Sequence, residues 1–129
     1  MNGISENLKN EYIVEENDSA YSVGSGGLEV LSTPKVTALV ENASYELLQT
    51  MLNDDETSVG IFIEIDHIAP TPIGMKIEIN TKIKNPGTSG RTVAFEFVVS
   101  DEKEIIAHGI HKRVIVNKEK FMEKVNKKS

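Results

Sequence analysis

SVGIFIEIDHIAPTPIGMKIEINTKIK, residues 58–84, exchanges apolar for polar side chains at almost every step. In its first half Val59, Ile61, Ile63, Ile65 and His67 share one face and Phe62, Glu64 and Asp66 the other, the period of a β-strand with one buried side. Its second half repeats the pattern: Met75, Ile77, Ile79, Thr81 and Ile83 alternate with Lys76, Glu78, Asn80, Lys82 and Lys84, predicting a strand with one wet face. Between them Ile68-Ala69-Pro70-Thr71-Pro72-Ile73-Gly74 carries two prolines and a glycine, which cannot extend a central ladder.

On the C-terminal side, Asn85-Pro86-Gly87-Thr88-Ser89-Gly90 reads as a turn. Beyond it Val93, Phe95, Phe97 and Val99 alternate as a third strand, and Glu104 to Val116 make a fourth after a turn at Asp101–Lys103. A Lys-rich tail from Asn117 to Ser129 is predicted to be partly helical. On the N-terminal side, Val36, Leu39, Val40, Ala43, Leu47 and Met51 recur at three- and four-residue steps, predicting one helix from about Pro34 to Leu52. Thr33-Pro34 suits its start, because a hydroxyl can cap a helix and proline is tolerated in the first turn. Glu11 to Glu15 are read as an added edge strand, Val23-Gly24-Ser25-Gly26-Gly27 as a flexible stretch, and residues 1–10 as disordered. Residues 11–129 then form a single α+β domain. One long central helix is wrapped by a curved antiparallel sheet, and the helix face left uncovered calls for a second copy. This element order resembles that of the hotdog fold.

Composition narrows the function classes. With 129 residues, one domain is the expectation. The net charge of −6 argues against nucleic acid as partner, since phosphate binding needs a basic footprint. Charge is uneven: residues 1–57 hold 11 acidic and 2 basic side chains, residues 58–129 hold 9 and 12. The second part is therefore suited to a small anion. Cysteine is absent, which removes disulfides, thiol nucleophiles and thiolate metal sites. The polar N-terminus is no signal peptide and no run is long enough to span a membrane, so a cytoplasmic setting is expected.

Three residues stand out chemically. Glu41 lies on the flank of the helix's apolar stripe beside Thr37 and Ser44, half-desolvated and suited to act as base or nucleophile; the plainer reading is a solvated surface glutamate. His67 ends a strand on its core face where the proline-rich link begins, suited to a general base at a pocket mouth, or else to a hydrogen-bonded histidine closing the sheet end. Thr33 by itself is only a helix cap. His108 and His111, three apart on a strand, face opposite sides and cannot share one metal ion. No metal site is expected.

Taken together, Val23-Gly24-Ser25-Gly26-Gly27-Leu28-Glu29-Val30-Leu31-Ser32-Thr33-Pro34, Glu41, Val59, His67-Ile68-Ala69-Pro70-Thr71-Pro72-Ile73-Gly74 and Gly109-Ile110-His111-Lys112-Arg113 resemble, in order and spacing, the fluoroacetyl-CoA thioesterase-like family of hotdog thioesterases. That resemblance implies hydrolysis of an acyl-CoA thioester, with Thr33, Glu41 and His67 as the catalytic set. It also implies that Gly26, Gly27, Pro70 and Gly74 meet the substrate, that His111 and Arg113 are structural or contact CoA, and that a homodimer or a pair of dimers sets the site at the subunit junction. CoA is then part of the substrate and no cofactor is required. Bulky aromatic residues precede the threonine in the fluoroacetyl-specific enzyme, whereas Gly26, Gly27, Leu28 and Val30 stand here, so fluoroacetate selectivity does not follow. Two other readings stay open: a non-catalytic hotdog module that binds acyl-CoA, and a hotdog dehydratase or isomerase, for which no Asp and His pair has a matching spacing. One tension concerns distance. In a helix running from residue 33, Thr33 and Glu41 stand about 12 Å apart along the axis, and Thr37 becomes the nearer hydroxyl to Glu41.

Overall fold

A computed structural model describes residues 6–84 and 90–129. Most of the turn expected at residues 85–90 therefore lies outside the described residues, as do residues 1–5. Strand β1 (Asn7–Ile13) is followed by a 3-10 turn (Glu16–Asp18), a short helix α1 (Ala20–Val23) and the long helix α2 (Thr33–Gln49). Strands β2 (Glu56–His67), β3 (Lys76–Ile83), β4 (Thr92–Ser100) and β5 (Ile105–Asn117) come next, and helix α3 (Lys118–Asn126) ends the chain. The five strands form one antiparallel sheet in the order β1-β3-β4-β5-β2.

Burial follows the periodicities. Helix α2 buries Val36, Val40, Ala43 and Leu47, one face at steps of four, three and four. They pack on the sheet's inner face, where Ile77 and Ile79 of β3, Phe95, Phe97 and Val99 of β4, and Ile106 and Ala107 of β5 are all but closed to solvent. Within this apolar layer Ser44 Oγ donates to the Val40 carbonyl and lies 3.1 Å from Thr81 Oγ1. The two buried hydroxyls thus satisfy each other and pin the helix to β3.

Three expectations need correction. Residues 7–10 are not disordered: β1 starts at Asn7 and pairs with β3 from Asn7 opposite Lys82 to Ile13 opposite Lys76. Only Leu8 and Tyr12 of β1 reach the core cluster, so its apolar signal is faint. Helix α2 ends at Gln49 rather than Leu52, its last turn closing through Thr50 Oγ1 on the Leu47 carbonyl. Most consequential, β2 is not one regular strand. A bulge between Gly60 and Phe62 inserts an extra residue, Ile61, which is 54% exposed. Behind the bulge, Ser58 and Gly60 take the inner face in place of Val59, while Ile63, Ile65 and His67 keep it ahead.

Candidate active site

Hydroxyls compete for the start of α2, and Ser32 wins the capping role: its Oγ accepts from the Lys35 amide at 3.1 Å. Thr33, expected as the cap, is the first helical residue instead, with Pro34 behind it. Its hydroxyl is thereby released for another partner. Thr33 Oγ1 lies 2.7 Å from His67 Nδ1. The polar residues around it fix this meeting point. Ser32 N–H donates to the Asp18 carbonyl, and Leu31 N–H to the Thr71 carbonyl. Thr71, fully buried, donates through Oγ1 to Asp101. Asp18 accepts from Tyr12 Oη and the Glu15 amide, with the Lys35 ammonium 3.5 Å away. Burial, and then this carboxylate, push the Tyr12 pKa up to about 12.

His67 differs from an ordinary core histidine. Burial lowers its pKa from 6.5, opposed by the Ala69 backbone, so the imidazole is neutral at pH 7. Its Nε2 is buried without a hydrogen-bond partner. Thr33 and His67 line a cleft of about 310 Å³, together with Leu31 and Ala69 and the expected substrate contact Pro70.

Glu41 belongs to a second cluster. Two helical turns separate it from Thr33, about 12 Å by the helix rise. Among the described residues no hydrogen bond or ion pair links it to Thr33, Thr37 or His67. It lies instead over the β2 bulge: a methyl group built on Gly60 would meet Glu41 Oε2 at 2.8 Å, His111 Cε1 at 3.2 Å and Arg113 Nη1 at 3.4 Å. Glycine is what lets these three groups converge on the strand. Arg113 is nearly buried; its Nε donates to Ser58 Oγ at 2.7 Å and its Nη2 to the Ser58 carbonyl at 3.0 Å. The guanidinium also lies 5.8 Å from the centre of the Tyr45 ring. His111 is tied at both nitrogens. Nδ1 donates to the Phe62 carbonyl, which can only accept, so Nε2 is the acceptor for Arg113 Nη1 at 3.2 Å. Burial lowers the His111 pKa; the Phe62 carbonyl opposes this, Arg113 adds to it, and Glu41 opposes it. For Arg113 burial again lowers the value, against Glu41 and then Tyr45.

The remaining expected contacts scatter. Gly26 and Gly27 are exposed between α1 and Leu31, Gly26 packing on Ala20. Gly74, with φ at 93°, donates its N–H to the Val14 carbonyl in a turn outside the cleft lining. His108 faces outward opposite Asp66 while His111 faces the core. Sequence reasoning missed Ser32, Ser58, Gly60 and Tyr45. A serine and a glycine interrupting an apolar strand were the available signal for two of them.

A profile of the fluoroacetyl-CoA-specific thioesterase family matches residues 14–119. The fluoroacetyl-CoA thioesterase of Streptantibioticus cattleyicolor is 29% identical over 101 residues, covering 78% of this chain and 71% of that relative. A solved structure of the fluoroacetyl-CoA thioesterase FlK superposes with a TM-score of 0.90 at 23% identity, over 98% of this chain and 96% of that one. A hot-dog-like protein from Thermanaerovibrio acidaminovorans follows at 0.88 and 20% identity, over 98% and 92%. The long helix against a five-stranded antiparallel sheet is therefore the hotdog arrangement, and the chain is a hotdog thioesterase belonging to the fluoroacetyl-CoA-specific thioesterase family.

Proposed function

We propose that the protein hydrolyses acyl-CoA thioesters to a free acid and CoA, with Thr33, His67 and Glu41 as the working groups. The observation that carries this reading is the 2.7 Å contact between Thr33 Oγ1 and His67 Nδ1 at the wall of a cleft, with His67 Nε2 buried and unpartnered. A buried nitrogen with no partner calls for an explanation, and a bound reactant or water is one. In the reaction, water adds to the thioester carbonyl carbon as Glu41 takes its proton, and the C–S bond then breaks. The thiolate leaves with little assistance and is reprotonated; neutral His67, oriented by Thr33, carries protons between these steps. If Glu41 attacks directly, it passes through a mixed anhydride that water then opens. No bound cofactor is required.

Glu41 and His67 occupy separate clusters of one chain, which supports a homodimeric site. Strand β2, twelve residues long, forms one edge of the sheet, the shorter β1 the other. Antiparallel pairing of two β2 edges about a twofold midway between Gly60 and His67 would bring the Glu41–Gly60 cluster of one copy toward His67 of the other. No helix among the described residues is long and apolar enough to cross a membrane, and we take the cytoplasm as the working compartment. The test is thiol release from a panel of acyl-CoAs by the wild type, Glu41→Ala and His67→Ala. Turnover should collapse in both variants; equal rates would remove these residues from the mechanism. Saturable binding without thiol release would favour a non-catalytic acyl-CoA module.

A further inference from the structure

We infer that the acyl group this protein releases is uncharged and longer than two carbons, an inference that rests on the hydrolase reading above. The cleft beside Thr33 and His67 is walled by Ala20, Val30, Leu31, Ile68, Ala69 and Pro70, with two serines besides. Apart from His67, no lining side chain is ionisable. Within one chain the nearby charges are unavailable or of the wrong sign for an acidic acyl chain, and Arg113, which the proposed pairing would bring closer, is committed to Ser58 and lies beside Glu41. The Lys35 ammonium, two residues from Thr33, lies 3.5 Å from the Asp18 carboxylate. Glu29, next to Val30, is exposed and acidic. A carboxylate on the acyl tail would lose hydration here without gaining a counter-ion.

Size points the same way. A volume of about 310 Å³ sits at the lower end of small-molecule sites, roughly 300–1,000 Å³, and exceeds what two carbons fill. Apolar surface continues outside it. Tyr21 and Leu28, joined by a hydrogen bond between their backbones next to Ala20, are 69% and 70% exposed, and Ile68 is 58% exposed. Ile68, which both lines the cleft and is exposed, carries apolar contact to its rim. Each methylene seated in such a pocket is worth about tenfold or more in discrimination.

The decisive experiment measures kcat/KM of the purified full chain for thiol release from acetyl-, butyryl-, benzoyl-, malonyl- and succinyl-CoA. Butyryl-CoA should exceed acetyl-CoA by at least about tenfold and succinyl-CoA by at least about a hundredfold. Succinyl-CoA hydrolysed as well as butyryl-CoA, or acetyl-CoA as well as butyryl-CoA, would overturn the inference while leaving the hydrolase reading intact. Thiol release from none of the five would sink the hydrolase reading, and this one with it. Ser25→Phe fills the cleft from an exposed position and should lower the butyryl-to-acetyl ratio by about tenfold, with Val30→Phe as the second variant should the first fold poorly. A ratio unmoved in a folded variant would mean that the acyl group lies elsewhere.

Discussion

His67 and His111 both occupy β-strands, His67 partly and His111 almost wholly withdrawn from solvent, and burial depresses the pKa of both. They differ in what their second nitrogen meets. His111 gives Nδ1 to the Phe62 carbonyl, receives Arg113 at Nε2, and stacks on Phe95 with ring centres 6.0 Å apart. His67 meets Thr33 at Nδ1 and nothing at Nε2. An imidazole with both nitrogens committed is fixed in place, whereas His67, a residue of the cleft lining, keeps one buried nitrogen without a hydrogen-bond partner, which is what the proposed proton-carrying role requires. Arg113 likewise commits its donors to Ser58, whereas Thr33, relieved of capping by Ser32, turns its hydroxyl to His67.

The sharpest way to break this comparison is to exchange the histidines' fates. His67→Ala should reduce kcat/KM by roughly 10²–10⁴ while urea denaturation registers a stability within about 1 kcal/mol of wild type, since the lost atoms leave few bonds unmade. A large stability loss with modest activity loss would make His67 a scaffold after all. Next in size, Arg113→Ala should destabilise the fold by about 3 kcal/mol, because Ser58 loses two donors and Glu41 and His111 lose the neighbouring cation. An unchanged denaturation midpoint would show that this cluster does not hold the strand ends together. Gly60→Ala probes the junction between the two regions. Its methyl group must displace the Glu41 carboxylate, and a misplacement near 1 Å is expected to cost about 10²-fold in kcat/KM. Full activity would mean that the carboxylate's seat is unimportant.

The gentlest probe is pH. Both histidines have folded-state pKa values below 6.5, so as pH falls through 6.5 the unfolded chain takes up protons that the folded chain refuses. Their stabilising share is complete above that pH and is lost on acidification toward the folded values. Denaturation series from pH 7.5 to 5.5 should show that slope in the wild type, shallower in His111→Gln and in His67→Gln. A slope unchanged in both variants would assign the acid sensitivity to other groups.

Much of this was readable from residue order, and the failures have physical causes. Ile77, Ile79, Thr81 and Ile83 alternate without interruption, so β3 and its inner face follow from period alone; Val36, Val40, Ala43 and Leu47 do the same for α2. Strand β1 was read too short because only Leu8 and Tyr12 of its seven residues contribute apolar contact. The capping role of Ser32 could not be separated from that of Thr33, since adjacent hydroxyls before a proline are equivalent until backbone angles choose between them. Glu41 and His67 stand out by their places on the helix flank and at the strand end, whereas Thr33 gains weight only through the family resemblance; helical rise alone indicates that Thr33 and Glu41 of one chain stand too far apart to share a proton.

The bulge in β2 has a consequence of parity. On paper Val59 and Ile61 carry odd numbers with Ile63, Ile65 and His67, and a regular ladder would have set two branched hydrocarbons against the Glu41 carboxylate. The supernumerary Ile61 exchanges odd for even, so the carboxylate meets glycine and, across the ladder, an arginine. Removing Ile61 would straighten the strand without altering which residues face inward. It is thus a position in β2 where a codon can be lost while the inner surface keeps its lettering.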